Sequence, residues 1–250
     1  MARYFMEIAY DGSNYHGWQT QPNDITVQET IETGLTRLLR ENIKVTGCGR
    51  TDTGVHALSY HLHFDVTKPI ASPGNFRNRF NSYLPHDIAV LDLYPVHCEA
   101  HARFDALRRT YDYYIHTMKD PFLHGRSLYY TRELDHDAMN TACQNLVQYT
   151  DFTSFSKLHT DTKTNNCTIQ QAYWEQKGHQ LVFRITADRF LRNMVRAIVG
   201  SIIPIGLGHN TPDSIKSIIE AKDRSKAGQS VPAHALYLVK TEYPLNLTAL

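Results

Sequence analysis

The sequence predicts an α+β fold with largely antiparallel sheets, and three observations predict it. Apolar residues fill 42% of the 250 positions and charged residues 20%, an ordinary globular balance in a chain long enough for one large core or two moderate ones. Segments with two-residue apolar alternation outnumber segments with helical periodicity. The two kinds are mixed along the chain, with no repeat, linker or low-complexity tract.

The elements follow in order. Tyr4, Met6, Ile8 and Tyr10 alternate with Arg3, Phe5, Glu7 and Ala9, a strand that ends at the turn Asp11, Gly12. Thr26 and Glu29 form a capping box, and Val27, Ile31, Leu35, Leu38 and Leu39 mark one face of a helix to about Glu41. Residues 43–49 read as a second strand. Residues 57–66 read as a third, with Leu58, Tyr60, Leu62, Phe64 and Val66 on one face. Ser72 and Pro73 start a short helix carrying Phe76, Phe80 and Tyr83, stopped by Pro85. Residues 87–106 read as a crossing segment. In the second half, residues 110–115 and 181–187 alternate as strands and 168–175 are strand-like. Residues 135–147 and 211–219 read as helices, the latter with Thr211 at N-cap and Pro212 at the first helical position. Residues 189–203 read as an apolar helix stopped by Pro204, and 236–243 as a closing strand.

Composition narrows the function classes. No apolar stretch is long enough to span a bilayer. The N-terminal residues read as a strand rather than a signal peptide, because Glu7 interrupts them. Cys48, Cys98, Cys143 and Cys167 are far apart and none forms a C-x-x-C pair, so a zinc site or redox pair is not expected; a reduced cytoplasmic protein is. The net charge of +1 does not advertise nucleic-acid binding. The arginines nevertheless cluster, at Arg77 and Arg79, at Arg103, Arg108 and Arg109, and at Arg189, Arg192 and Arg196.

Three groups of residues could carry chemistry. Asp52-Thr53-Gly54 spells the aspartic-protease triplet, but such a site needs two aspartates sharing a proton and the chain has no second triplet. Arg50, two residues away, also favours the charged carboxylate that a proton-sharing pair cannot tolerate. His61 and His63 share a strand face with His56 just before it; metal binding is one reading, and a half-solvated polar face opposite Leu62 and Phe64 is the favoured one. On its own loop, Asp52 reads as a turn residue bonding its own backbone. Arg196 changes that balance. It sits in an otherwise apolar run, with Arg192 one helical turn away on the same face, and a guanidinium in such company needs a carboxylate or phosphate partner. Asp52 is a suitable partner, and an arginine-held carboxylate is a ready nucleophile or base. Tyr111 and Tyr113 fall on one side of a strand directly after Arg108 and Arg109. Core packing explains each tyrosine, while tyrosine beside arginine also suits a stacked base next to a phosphate.

The ordered set of motifs resembles the TruA family of tRNA pseudouridine synthases over nearly the whole chain. The blocks are YDGSNYHGWQ at 10–19 with QP at 21–22, TVQ at 26–28, GRTDTGVH at 49–56, and LP at 84–85 with DI at 87–88. They continue with ARF at 102–104 and Arg109, Tyr111 and Tyr113, then DF at 151–152 with SF at 154–155, FLRNMVRAIVG at 190–200, and AG at 227–228 with VPA at 231–233. Thr53, Gln229, Ser230, Val231 and Ala235 depart from the residues the family commonly has there.

The resemblance implies a pseudouridine synthase fold: two ferredoxin-like, RRM-like halves with antiparallel sheets meeting at a central cleft. Residues 1–100 would carry the aspartate loop and 101–250 the active-site tyrosine and arginine. Asp52 matches the catalytic aspartate, Tyr111 the tyrosine that packs on the target base, and Arg196 the arginine that pairs with the aspartate. Arg50 matches the arginine that fills the gap left by a flipped nucleotide; Arg108, Arg109 and Arg192 are further candidates for RNA contact. The family isomerises uridines 38, 39 and 40 in the tRNA anticodon arm, as homodimers and without cofactor or metal. The rival reading is a non-catalytic RNA-binding module of ferredoxin-like halves, which would need no Asp52–Arg196 pair.

Overall fold

The computed structural model describes residues 1–157 and 164–247. It resolves into two units: Met1–Leu107 joined by the chain from Leu238, and Arg108–Tyr237. The closing strand, remote in sequence, is thereby mostly part of the first unit. The class is α+β throughout.

In the first unit, β1 (Ala2–Tyr10) lies between two antiparallel neighbours, β3 (His56–Val66) and β4 (Ile88–Val96). β2 (Val45–Gly47) pairs with the C-terminal part of β3, and β9 (Leu236–Glu242) lies beside β3. α1 (Val27–Leu39) starts where the capping box places it: the Thr26 hydroxyl accepts the Glu29 N–H. It ends at Arg40, whose φ of 58° breaks the helix. α2 (Pro73–Tyr83) is capped by Ser72. Tyr4, Met6 and Ile8 from β1, Tyr60, Leu62 and Phe64 from β3, Val27, Ile31 and Leu35 from α1, and Phe76 and Phe80 from α2 are all buried. α1 and α2 approach so closely at Gly34 that a Cβ there would come within 2.7 Å of the Phe80 ring.

Three expectations for this unit are corrected. Residues 87–106 do not merely cross; they contain β4, a nine-residue edge strand. Its alternation is broken because Glu7 pairs with Asp92 while Ile8 pairs with Val90, leaving Leu91 as a bulge. Pro95, which argues against a central strand, is tolerated on an edge. Leu58 shares the parity of Tyr60 and Leu62 but is half exposed, so the apolar stripe of β3 begins only at Tyr60. His61 and His63 are not half-solvated but buried. A second layer covers their face: Phe5, Val96, Ala100, Ala102 and Leu247 form a small apolar cluster with Tyr94 and Tyr243. The His63 ring stacks on Phe5 and its Nδ1 accepts the Ala102 N–H at 3.0 Å, while His61 lies against the Tyr243 ring. Among the described residues, no group of three or more His, Cys, Asp or Glu is placed to hold a metal ion.

In the second unit, β8 (Gln180–Ala187) is central, with antiparallel β5 (Arg108–His116) and β7 (Ile169–Lys177) on its two sides. The short β6 (Leu128–Tyr129) runs parallel to the end of β5. Buried Asp112 stands directly opposite Arg184 in the β5–β8 register and accepts two hydrogen bonds from it, at 2.7 and 2.6 Å. Those bonds push the Arg184 guanidinium above its ordinary range. α3 (His136–Leu146), capped by Asp135, lies on β7, where Asn140 bonds both the N–H and the carbonyl of Trp174. It meets α4 (Met194–Gly206) at Gly206, where a Cβ would come within 2.5 Å of Met139 Sδ.

Two helices differ from expectation. α4 begins at Met194 rather than 189, because Asn193 adopts φ +67°, and it continues through Pro204 to Gly206. Pro204 removes the donor that would serve the Gly200 carbonyl. The Gly228 backbone lies against that carbonyl, so close that a Cβ on Gly228 would come within 2.4 Å of it. α5 (Ser214–Glu220) starts two residues later than expected, with Asp213 rather than Thr211 at the N-cap; Thr211 acts through its carbonyl, which accepts from the Ser214 N–H and hydroxyl, not as a side-chain cap.

The glycines of 47–54 are not equivalent. A Cβ on Gly47 would come within 1.9 Å of the Tyr60 hydroxyl and 2.7 Å of the Trp18 ring, whereas one on Gly49 would meet nothing within 4 Å. Gly47→Ala is therefore expected to cost about 1–3 kcal/mol in chemical denaturation and Gly49→Ala to stay within about 0.5 kcal/mol. Acid stability supplies a second check. Burial pushes His63 down to about 4, with Arg3 acting in the same direction. Between its unfolded value of 6.5 and about 4, the unfolded chain binds the extra proton, so stability falls as pH drops through that window. The urea midpoint should decline across it, less steeply in His63→Gln. Part of the slope should persist because burial also lowers His61 and His101. An unchanged slope in His63→Gln would contradict the assignment.

Candidate active site

The first unit presents Arg50 and Asp52 on the loop that leads into β3. Antiparallel pairing sets Tyr10, the last residue of β1, opposite Ala57 near the start of β3, so the segment after β1 lies against the segment before β3. The two segments meet backbone to backbone. The Trp18 N–H donates to the Thr51 carbonyl at 3.2 Å, and the Gly54 N–H to the Tyr15 carbonyl at 3.3 Å. A Cβ on Gly12 would come within 2.1 Å of the Val55 carbonyl oxygen, and one on Gly17 within 2.5 Å of that of Thr51. Gly17 also has φ +86°, a conformation that favours glycine.

Side chains complete the hold. The Tyr10 and Thr51 hydroxyls are 2.9 Å apart, and the Tyr60 hydroxyl donates to the Gly49 carbonyl. Trp18 stacks on Tyr60 with ring centroids 4.1 Å apart. The loop then turns tightly, the Val55 N–H donating to the Asp52 carbonyl and Gly54 adopting φ +78°. Asp52 is partly exposed at this turn and Arg50 is exposed.

The second unit gathers Tyr111, Tyr113 and Arg196. Tyr111 is half-buried on β5 and meets the edge of Phe190 at 5.2 Å. Tyr113, on the same side of the strand, is fully buried and donates its hydroxyl to the Pro232 carbonyl at 3.1 Å. The adjacent carbonyl, Val231, accepts the Nε–H of Arg196 at 2.7 Å, and the Val231 N–H returns to the Arg196 carbonyl. Burial raises Tyr113 well above the ordinary phenol range, against an opposing pull from the nearby Arg196 charge. Arg196 is thus oriented by backbone, with its Nε committed to Val231.

The remaining basic candidates are dispersed. Arg109 donates to the Asp188 carbonyl at 2.8 Å. Arg108 alternates to the face of β5 opposite Tyr111 and is exposed. Arg192 is exposed and precedes α4, so it does not share a helical face with Arg196 as the spacing suggests. Sequence reasoning assigned no role to Tyr10, Thr51, Trp18, Tyr60, Phe190, Val231 or Pro232. Most lie inside the quoted motifs, but nothing in one sequence says which motif residues hold and which react.

A family model described as tRNA pseudouridine synthase matches residues 6–105 and 142–244. The chain belongs to that family. A protein from Parabacteroides distasonis named tRNA pseudouridine synthase A is 55% identical, the match covering 99% of this chain and 98% of the relative. Proteins of the same name from Porphyromonas gingivalis and Bacteroides thetaiotaomicron are 51% and 49% identical, each over 99% of this chain and 99% and 93% of theirs. Asp52 and Arg196 fall inside the matched segments of the pseudouridine synthase model and Tyr111 between them, while the three relatives span almost the whole chain.

Proposed function

We propose that this protein isomerises uridine to pseudouridine at positions 38, 39 and 40 of the tRNA anticodon stem-loop, acting as a homodimer in the cytoplasm. Membership of the tRNA pseudouridine synthase family over the length of the chain carries this reading and favours it over a non-catalytic RNA-binding module. The geometry of the Asp52 loop supports it: a partly exposed carboxylate sits on a turn clamped by backbone contacts, a precise platform for one acid group. No helix among the described residues is long and apolar enough to cross a membrane.

The reaction breaks N1–C1′, turns the uracil and joins C5 to C1′, the C5 proton leaving and N1 taking up a proton, with no net oxidation and no net change in atoms. Asp52 is the group that acts on the uridine, either attacking C1′, as carboxylates do in glycoside chemistry, or adding to C6. Arg196, already aligned by Val231, supplies the compensating positive charge. Tyr111, steadied edge-on by Phe190, stacks on the uracil. Arg50 offsets part of the few kcal/mol lost on unstacking by occupying the vacated place. Arg108, Arg109 and Arg192 contact the RNA backbone, which is read by shape, so binding weakens as salt rises.

The direct test is to incubate the protein with unmodified tRNA and map pseudouridine by position. Product at 38–40 is expected, and product only elsewhere would redirect the assignment. Asp52→Asn should bind tRNA yet lose turnover by at least about a hundredfold. Arg196→Lys keeps the charge but has no Nε–H to give Val231. It should therefore fall nearly as far as Arg196→Met, whereas wild-type turnover in both would remove Arg196 from the site.

A further inference from the structure

We infer that Thr51 and Tyr10 are positioning residues for the Asp52 carboxylate, their hydroxyl–hydroxyl bond setting the direction in which Asp52 leaves its loop. The inference rests on the reading of Asp52 as the catalytic group. Thr51 immediately precedes Asp52 and is held at two points, its Oγ1 2.9 Å from the Tyr10 hydroxyl and its carbonyl 3.2 Å from the Trp18 nitrogen. Gly17 closes over the same carbonyl, leaving a Cβ only 2.5 Å of clearance. Threonine is β-branched and stiff at χ1, so fixing its hydroxyl also fixes the backbone that carries the next residue.

Tyr10 is a firm anchor. It is the last residue of β1, only 4% exposed, and its ring is tilted against Tyr60 at 5.7 Å, with Tyr60 in turn stacked on Trp18. The bond therefore links a rigid wall of rings to the residue beside the carboxylate. A single hydroxyl pair adds modestly to folding. Its loss would let the Asp52 side of the turn rotate, and misplacing a reacting group by about 1 Å can cost on the order of a hundredfold in rate. A purely structural role predicts lost stability and lost tRNA affinity together. A positioning role predicts a slower chemical step with affinity retained.

The experiment measures single-turnover rate, tRNA affinity and thermal midpoint on the full chain with unmodified tRNA. Thr51→Val should lower the rate by about tenfold or more while leaving affinity and cooperative unfolding in place. Thr51→Ser, which keeps the hydroxyl, should recover most of the rate. Tyr10→Phe should match Thr51→Val, and the double variant should be no slower than either single one, because both remove the same bond. Asp52→Asn is measured alongside. If it is inactive while Thr51→Val and Tyr10→Phe run at the wild-type rate, or their losses multiply, the positioning role is overturned and the catalytic reading stands. If Asp52→Asn itself turns over normally, the underlying reading fails and the inference with it. Should Thr51→Val not fold, Tyr10→Phe carries the same expectation, and a wild-type rate in it overturns the proposal.

Discussion

Backbone-on-backbone contact between residues 12–18 and 51–55 is the constraint on which the geometry of the first unit depends. A loop that lacks a side chain at its points of closest approach can exchange main-chain hydrogen bonds directly with its neighbour, and Gly12 and Gly17 provide that absence on the 12–18 side, against the Val55 and Thr51 carbonyls. The pairing of β1 with β3 makes the approach unavoidable, since it sets the end of one strand beside the start of the other. A rigid platform on rigid strands is what a catalytic carboxylate requires, because small displacements of a reacting group are costly in rate.

The second unit reaches a similar end by a related device. A Cβ on Gly200 of α4 would come within 1.8 Å of the Gln229 carbonyl oxygen, and one on Gly228 within 2.4 Å of the Gly200 carbonyl oxygen, a close fit that seats residues 229–232 along the helix. Val231 and Pro232 then offer consecutive carbonyls, one to Arg196 and the next to Tyr113. Ser230 reinforces the seat by accepting from Asn193 and from Arg224, the latter at 3.0 Å. Pro204 looks like a helix terminator in isolation, yet it falls where the Gly228 backbone already covers the carbonyl it orphans. Each unit thus uses glycine contacts to orient one ionisable residue of the proposed site.

How much of this was legible in the sequence depended on whether the signal was local. β1, α1, α2 and α3 could be read because periodicity and caps lie within a few residues of each other, as Thr26 with Glu29 and Ser72 with Pro73 show. β4 was hidden because a bulge at Leu91 shifts its parity halfway and Pro95 resembles a breaker. His61 and His63 were misjudged because alternation predicts a wet face, and the layer that dries it comes from residues 96–102 and the C-terminal segment, distant in sequence. Arg192 and Arg196 seemed to share a helical face because the left-handed turn at Asn193 leaves no pattern in composition. For the site itself, the motif around Asp52 was visible, but the residues that hold it were not. Tyr10 and Tyr60 read as ordinary strand aromatics until the fold brings their hydroxyls to the loop.

The Asp52 carboxylate is set in place by the contacts that hold the backbone on either side of it. The most direct measurement is the single-turnover rate of Gly17→Ala on unmodified tRNA, with folding followed by circular dichroism and tRNA affinity measured in parallel. A methyl at this position meets the Thr51 carbonyl and is strained at φ +86°. The account predicts a folded protein that binds tRNA but reacts about a hundredfold more slowly. A folded Gly17→Ala protein that isomerises uridine at the wild-type rate would contradict it.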